Sequence, residues 1–144
     1  QGDHFWYRAS YFIEDALPTT IMDLECPWFS QQGGIRLAIG ESGHLMAELK
    51  AFNKPKYRQP DNTAIVFPLG QWVEVMAHYH LSDTDDGLVQ IWQDGRLIVD
   101  TKGVTLPLPS VIYSSLEVGI SGHSYGNETS TLWIDDIQIS DQPL

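Results

Sequence analysis

The stretch 72–80 carries two histidines, His78 and His80, that alternate with apolar residues. Residues two apart on a β-strand point to the same side, so both imidazoles share one face with Glu74. Such a pair could exchange protons or bind a metal ion. A zinc site needs a third ligand, and Glu74 lies roughly 13 Å from His78 by strand rise. The pair alone is weak evidence for a metal, and polar residues of a groove or surface explain it more simply.

A second predicted strand, 87–93, brings Gln90 and Trp92 beside the histidines. Keeping the apolar residues of both strands on one side predicts a register. Its pairs are Leu81 with Val89, Tyr79 with Ile91, His80 with Gln90, and His78 with Trp92. An indole beside hydrogen-bonding groups suits a sugar, whose C–H face packs on the ring while its hydroxyls bond alongside. The alternative is a solvated face with one exposed Trp.

The same residues would also suit a lyase acting on uronate-containing polysaccharides. Such chemistry needs a base that removes the proton beside the uronate carboxylate, and a cation or amide that neutralises this carboxylate. His78 or His80 is the candidate base, and Arg8 or Gln90 the candidate neutraliser. Geometry is the first requirement for this role, so the sequence leaves binding and cleavage both open.

Other candidate motifs have simpler explanations. Cys26 is the only cysteine, which excludes an intrachain disulfide and a cysteine-based zinc site. The acidic loop 82–87 partly resembles the start of a calcium loop, but ordinary turn chemistry accounts for its Asp and Gly residues. The glycine-containing segment 119–126 precedes no helix and is predicted to be a hairpin loop rather than a phosphate site. Asn127 begins a glycosylation sequon, a motif that often occurs by chance.

The secondary structure that must position these residues is almost entirely β. Short alternating segments, rich in β-branched and aromatic residues and separated by Gly, Asp, Asn and Pro, predict ten strands. These are 4–14, 19–25, 34–40, 44–52, 63–67, 71–81, 87–93, 96–100, 115–122 and 130–140. The pattern predicts an all-β, two-sheet antiparallel sandwich. Its predicted core contains Val73, Val75, Tyr79, Leu81, Val89, Ile91, Trp133 and Ile137.

The length and net charge of the chain limit the classes of binding partner that we expect. The 144 residues suit one domain, 1–144, which we expect to be part of a longer protein because the chain starts without Met. The net charge of -11 would repel nucleic acid and strongly anionic glycans. No apolar run is long enough to span a membrane. We therefore expect an extracellular or cell-surface protein whose partner is an oligo- or polysaccharide.

Several motifs are similar to those of a known superfamily. Gly70-Gln-Trp72, Gln90-Ile-Trp92 and Asp94-Gly95 resemble the central hairpins of concanavalin A-like lectin/glucanase domains. Laminin-G-like modules and jelly-roll lyases of the heparin-lyase type share this spacing of strands and turns. The ending Trp133-Ile-Asp135-Asp136 is similar to their closing strand. The motifs cover about half the chain, which lacks the superfamily's Glu-x-Asp-x-x-Glu glucanase strand and carries Trp92 where alginate-lyase-like members carry His.

The resemblance implies a jelly roll whose concave sheet face holds a glycan. It assigns to that face Glu74, Met76, His78, His80, Gln90 and Trp92, and the first strand would add Trp6, Arg8 and Ser10. The same alternation would add Arg36, Glu48 and Lys50 from neighbouring strands. If a structural calcium is bound, the resemblance places it near the closing strand, with Asp135 as the expected ligand.

The sequence therefore predicts a lectin-like carbohydrate-binding module. Its predicted ligand-binding residues are Trp92, His78, His80, Gln90, Glu74, Arg8 and Trp6. A polysaccharide lyase and a structural or protein-interaction domain remain as alternatives.

Overall fold

The computed structural model describes residues 2–26, 33–50, 55–109, 111–121, 126 and 128–144, which form ten β-strands without an α-helix among them. The strands are β1 (His4–Ile13), β2 (Thr20–Glu25), β3 (Gly34–Ile39), β4 (Leu45–Leu49), β5 (Lys56–Tyr57), β6 (Trp72–His80), β7 (Leu88–Gln93), β8 (Arg96–Lys102), β9 (Ser115–Val118) and β10 (Leu132–Ser140). The all-β prediction is confirmed. One predicted strand, 63–67, is wrong: it contributes only an isolated bridge from Val66 to His44.

The strands form two five-stranded antiparallel sheets that pack as a jelly-roll sandwich. The first sheet has the order β10-β1-β6-β7-β8 and the second the order β5-β4-β3-β2-β9. The chain passes from β8 in the first sheet to β9 in the second between Lys102 and Ser115. No helix in the described part of the chain is long and apolar enough to cross a membrane.

The core lies between the sheets, and the first sheet contributes to it by alternation of buried and more exposed residues. In β1 the inward residues are fully buried, and β6 and β7 follow the same rule. The Tyr7 and Tyr11 hydroxyls bond to each other at 2.5 Å, and Tyr11 donates to the carbonyl of Ile21 in the second sheet at 3.2 Å. Burial raises the pKa of Tyr7 to about 12, so both phenols stay neutral and tie the sheets together.

The β6–β7 register differs by two residues from the predicted one. Tyr79 pairs with Val89, and on the other side His78 pairs with Gln90 and Met76 with Trp92. Both registers bury the same side chains, so alternation cannot distinguish them. The loop decides between them. The Ser82 amide donates to the Thr105 hydroxyl, and the Ser82 carbonyl accepts from the amides of Thr105 and Leu106, so Ser82 is not free to extend the hairpin with β7.

The closing strand contains a β-bulge that changes which residues face inward. Asp136 has a positive φ of 53°, and the pairing with β1 shifts there. Trp133 lies on the side away from the core and is 56% exposed, while Ile137 is 48% exposed near the uncovered edge of the sandwich. The prediction that both are core residues is wrong, because β10 is an edge strand and the bulge breaks its alternation.

Arg36, Glu48 and Lys50 belong to the second sheet, so their predicted place beside the histidines is wrong. Arg36 pairs with Glu48 at 2.7 Å, and Lys50 pairs with Asp23 at 2.6 Å and with Glu25 at 2.5 Å. Alternation identifies the side of a strand but not the sheet that the strand joins. These charges form an ion-pair network on the opposite side of the molecule.

Candidate functional site: the outer face of the first sheet

The side of the first sheet that points away from the core, here called the outer face, collects the predicted ligand-binding residues. All seven lie on it: Trp6, Arg8, Glu74, His78, His80, Gln90 and Trp92. Cross-strand pairing arranges them in rows, because partners in adjacent strands point to the same side. The structure thus brings these residues together, and their binding of a ligand stays a prediction.

An aromatic cluster occupies one end of the outer face. The rings of Trp6 and His78 stack with centroids 4.0 Å apart and planes 8° apart, and Trp6 also stacks near Trp92 at 6.0 Å. His78 is only 6% exposed, whereas both indoles are partly exposed. A ligand on this face would therefore touch Trp6 and Trp92, with His78 held beneath them.

A hydrogen-bonded chain runs across four strands from His4 to Asp100. The Gln90 amide nitrogen donates to Asp100 at 3.0 Å, because a carboxylate can only accept. The Gln90 oxygen therefore accepts from His78 Nδ1 at 2.9 Å, and neutral His78 accepts at Nε2 from His4 Nδ1, 2.8 Å away. Neutral His4 is left with a lone pair on Nε2. The chain sets one tautomer for each histidine.

Burial lowers the pKa of His78. Loss of solvent is the main cause, the hydrogen bond from His78 to Gln90 opposes it, and the neighbouring His4 and His80 lower the pKa further. His78 is therefore neutral at neutral pH and can act as the acceptor that orients His4.

Polar groups frame the aromatic cluster on both sides. Arg8 donates to Gln138 of the closing strand at 2.8 Å. His80 donates from Nδ1 to the carbonyl of Asp86 at 3.2 Å, and its ring stacks on His4 at 5.0 Å. The Asp86 carboxylate accepts from Ser82 and Thr84, which lowers the pKa of Asp86. These bonds hold Asp86, whereas one oxygen of Asp83 in the same loop is buried without a partner.

Asp135 also lies on the outer face, across from Ser10. One of its oxygens accepts from the Asp136 amide at 2.8 Å and so caps the bulge. Calcium takes six to eight oxygen ligands, yet no three His, Cys, Asp or Glu side chains of the described residues converge into a metal-binding group. A calcium role for Asp135 stays a prediction.

Two clefts lie elsewhere. One, of about 790 Å³, is lined by 40–46 and 56–61, where Lys56 and Arg58 are balanced by Glu41 and Asp61. The other, of about 370 Å³, opens between the sheets beside Phe5 and has mainly apolar walls. Among the described residues, neither cleft contains a tryptophan or any of the seven predicted ligand-binding residues, so the outer face is the stronger candidate for a sugar site despite its open shape.

Residues of this face that sequence reasoning missed include His4, Phe12, Asp100 and Gln138. For His4 and Phe12 a signal was present, since they continue the alternation of Trp6, Arg8 and Ser10. For Asp100 and Gln138 only the sheet order places them beside Gln90 and Arg8.

The chain matches a known family along almost its whole length. A family model described as polysaccharide lyase matches residues 1–138. The chain belongs to the polysaccharide lyase family. No curated protein matches it.

Solved structures agree with this polysaccharide lyase family fold. The cellulose-induced protein Cip1 has a TM-score of 0.64 at 19% identity, with 97% of this chain and 68% of that chain covered. An endo-β-1,4-glucuronan lyase from the fungus Trichoderma reesei has a TM-score of 0.65 at 14% identity, covering 96% and 68%. The carbohydrate-binding module CBM66 from Bacillus subtilis has a TM-score of 0.56 at 12% identity, covering 96% and 75%. The concanavalin A-like resemblance is confirmed at the level of the fold.

Proposed function

We propose that this protein binds an extracellular polysaccharide on the outer face of the first sheet, with Trp6 and Trp92 as stacking platforms. The observation that carries this proposal is the Trp6–His78–Trp92 cluster, in which the buried His78 stacks on Trp6, Trp6 stacks near Trp92, and both indoles stay partly exposed. Indoles attract the C–H face of a sugar ring, and Arg8, Gln138 and Glu74 supply hydrogen-bonding groups nearby.

Ligand binding by Trp92 is tested by truncation. Trp92→Ala should weaken binding to the best ligand from a glycan array about three- to tenfold, because stacking contributes on the order of 1 kcal/mol. Isothermal titration calorimetry measures the change, and unchanged thermal unfolding verifies the fold. Ile139→Ala, an exposed apolar truncation on the core side of β10, is the control and should change nothing. Equal affinity of Trp92→Ala and the wild type would refute the proposal.

Cleavage is the second candidate, favoured by the family and by the chain that ends at His4. In a β-elimination, His4 Nε2 would take the proton at C5 of a uronate. The C4–O bond would then break, the leaving oxygen would take up a proton, and a C4–C5 double bond would form. Arg8 lies four residues along β1, roughly 13 Å away by strand rise, and bonds to Gln138, so it is too far to neutralise the carboxylate of the same sugar unit.

Product formation separates the two candidates. A lyase releases an unsaturated uronate that absorbs ultraviolet light, and His4→Ala should abolish this signal while leaving affinity within a few-fold. A binding module shows saturable affinity and no ultraviolet product with any uronate polymer.

A further inference from the structure

Three aromatic side chains form a second cluster at the other end of the outer face. Phe12 pairs with Trp72 on one side and with Trp133 on the other, so the three lie in one row across β6, β1 and β10. The Phe12 and Trp72 rings lie 5.7 Å apart, tilted by 55°. We call this row the distal cluster.

The indoles of the distal cluster are open to solvent. Trp72 is 52% exposed and Trp133 is 56% exposed. Their chain neighbours Val73 and Ile134 pack toward the core, so the alternation of each strand directs the indoles outward. Trp72 and Trp133 flank Phe12 on the two neighbouring strands, and two half-exposed tryptophans in one row are unusual on a surface without a binding role.

The distal cluster lies in line with the first aromatic cluster. Six residues separate Trp6 from Phe12 along β1, and six separate His78 from Trp72 along β6. Strand rise makes this separation about 20 Å, which is much longer than one sugar ring. The two clusters could therefore hold different units of a single oligosaccharide.

The surface between the clusters is polar and mainly acidic. Ser10 pairs with Glu74 on one side and Asp135 on the other, and one row away Arg8 bonds Gln138. Carboxylates accept hydrogen bonds from hydroxyls but repel a uronate. The middle row thus favours a neutral sugar, in agreement with the net charge of -11.

We propose that the distal cluster is a second sugar subsite and that the ligand is an extended neutral polysaccharide lying along β1 and β6. This second subsite rests on the proposed function, which it extends by stating the length, the direction and the charge of the ligand. The polysaccharide stacks on Trp6 and Trp92 at one end, offers hydroxyls to Glu74 and Asp135 in the middle, and stacks on the distal cluster at the other end.

Calorimetry with neutral di-, tetra- and hexasaccharides of the cello, xylo and manno series tests the distal subsite. The wild type should bind the hexasaccharide of one series more tightly than the disaccharide. Trp72→Ala and Trp133→Ala should each lower the affinity for the hexasaccharide about three- to tenfold and leave the affinity for the disaccharide unchanged. Trp92→Ala should weaken the binding of both ligands, and Ile139→Ala should not change the binding of either. Both distal side chains are exposed, so thermal unfolding should be unaltered.

Each contrary result has a separate meaning. Unchanged hexasaccharide affinity in both distal variants, with a loss in Trp92→Ala, overturns the distal subsite and keeps the proposed function. Lost disaccharide binding in the distal variants overturns the two-cluster arrangement. A wild-type dimer that Trp72→Ala converts to a monomer, seen by sedimentation, shows a self-association surface and overturns the subsite. If the wild type binds uronate polymers and no neutral oligosaccharide, the neutral ligand is refuted while binding itself stands.

Discussion

At the scale of single residues, the buried His78 supports Trp6 on the outer face. The Trp6 indole stacks on its ring, and both of its nitrogens are engaged, one with Gln90 and one with His4. Loss of solvent around this imidazole lowers its pKa, so the neutral form is the one that the folded state stabilises. A polar group that is buried and fully bonded orients its neighbours precisely.

The protonation of His78 should make stability depend on pH. Its pKa in the folded protein lies below the ordinary value of 6.5, so the folded state binds fewer protons than the unfolded state. This contribution to stability is complete above about pH 6.5 and is lost as the pH falls. His78→Gln should therefore lose less stability than the wild type between pH 7 and pH 5, measured by denaturant unfolding. Nitrogen NMR should show neutral His78 protonated at Nδ1, and the opposite tautomer would contradict the hydrogen-bonded chain.

At the scale of secondary-structure elements, β7 and β10 show how position in the sheet determines what an apolar residue contributes. Ile91 lies in β7 between two strands and is fully buried, whereas Ile137 lies in the edge strand and is 48% exposed. The bulge at Asp136 twists the edge strand and disrupts regular pairing there, a common feature of exposed sheet edges.

The same truncation at these two isoleucines should have very different costs. Ile91→Ala should destabilise the protein by about 2–5 kcal/mol, because it leaves a cavity in the core. Ile137→Ala should cost less than about 1 kcal/mol, because solvent already reaches the side chain. Urea unfolding of both variants measures the difference. Similar costs would mean that the edge of β10 is covered in solution.

At the scale of the whole molecule, the two sheets carry different polar surfaces. The outer face of the first sheet is aromatic and histidine-rich, while the second sheet carries the ion pairs of Lys50 with Asp23 and Glu25. Burial raises the pKa of Asp23 to about 6, although Lys50 and Arg36 lower it, and one Asp23 oxygen is buried without a partner. The ionised form of Asp23 is therefore costly to the fold.

Asp23 should make the protein less stable as the pH rises from about 4 to about 6. Its folded pKa is above the unfolded value, so the folded state binds the proton more tightly in that range. Asp23→Asn lacks this titration. Relative to the variant, the free energy of unfolding of the wild type should fall by on the order of 2 to 3 kcal/mol between pH 4 and pH 7. Guanidinium unfolding measures both, with exposed Asp61→Asn as the control. A constant difference at all pH values would refute the raised pKa.

Alternation along the chain was sufficient to predict the all-β class, nine of the ten strands and the seven predicted residues of the outer face. The physical reason is local: a strand buried on one side must place every second residue there, and a one-residue slip would bury His78 and His80 with the core. Turn chemistry is also local, and the Asp94-Gly95 turn forms as predicted, with φ of 49° and 75°.

The tertiary structure alone decided the rest, because it depends on contacts between distant segments. The bonds of Ser82 to residues 105 and 106 set the β6–β7 register, which local alternation left open to a two-residue shift. Sheet order placed Arg36 and Lys50 on the opposite side of the molecule and β10 at an edge. These long-range pairings also brought His4 to His78 and Trp133 to Phe12, and so determined which side chains a ligand can reach.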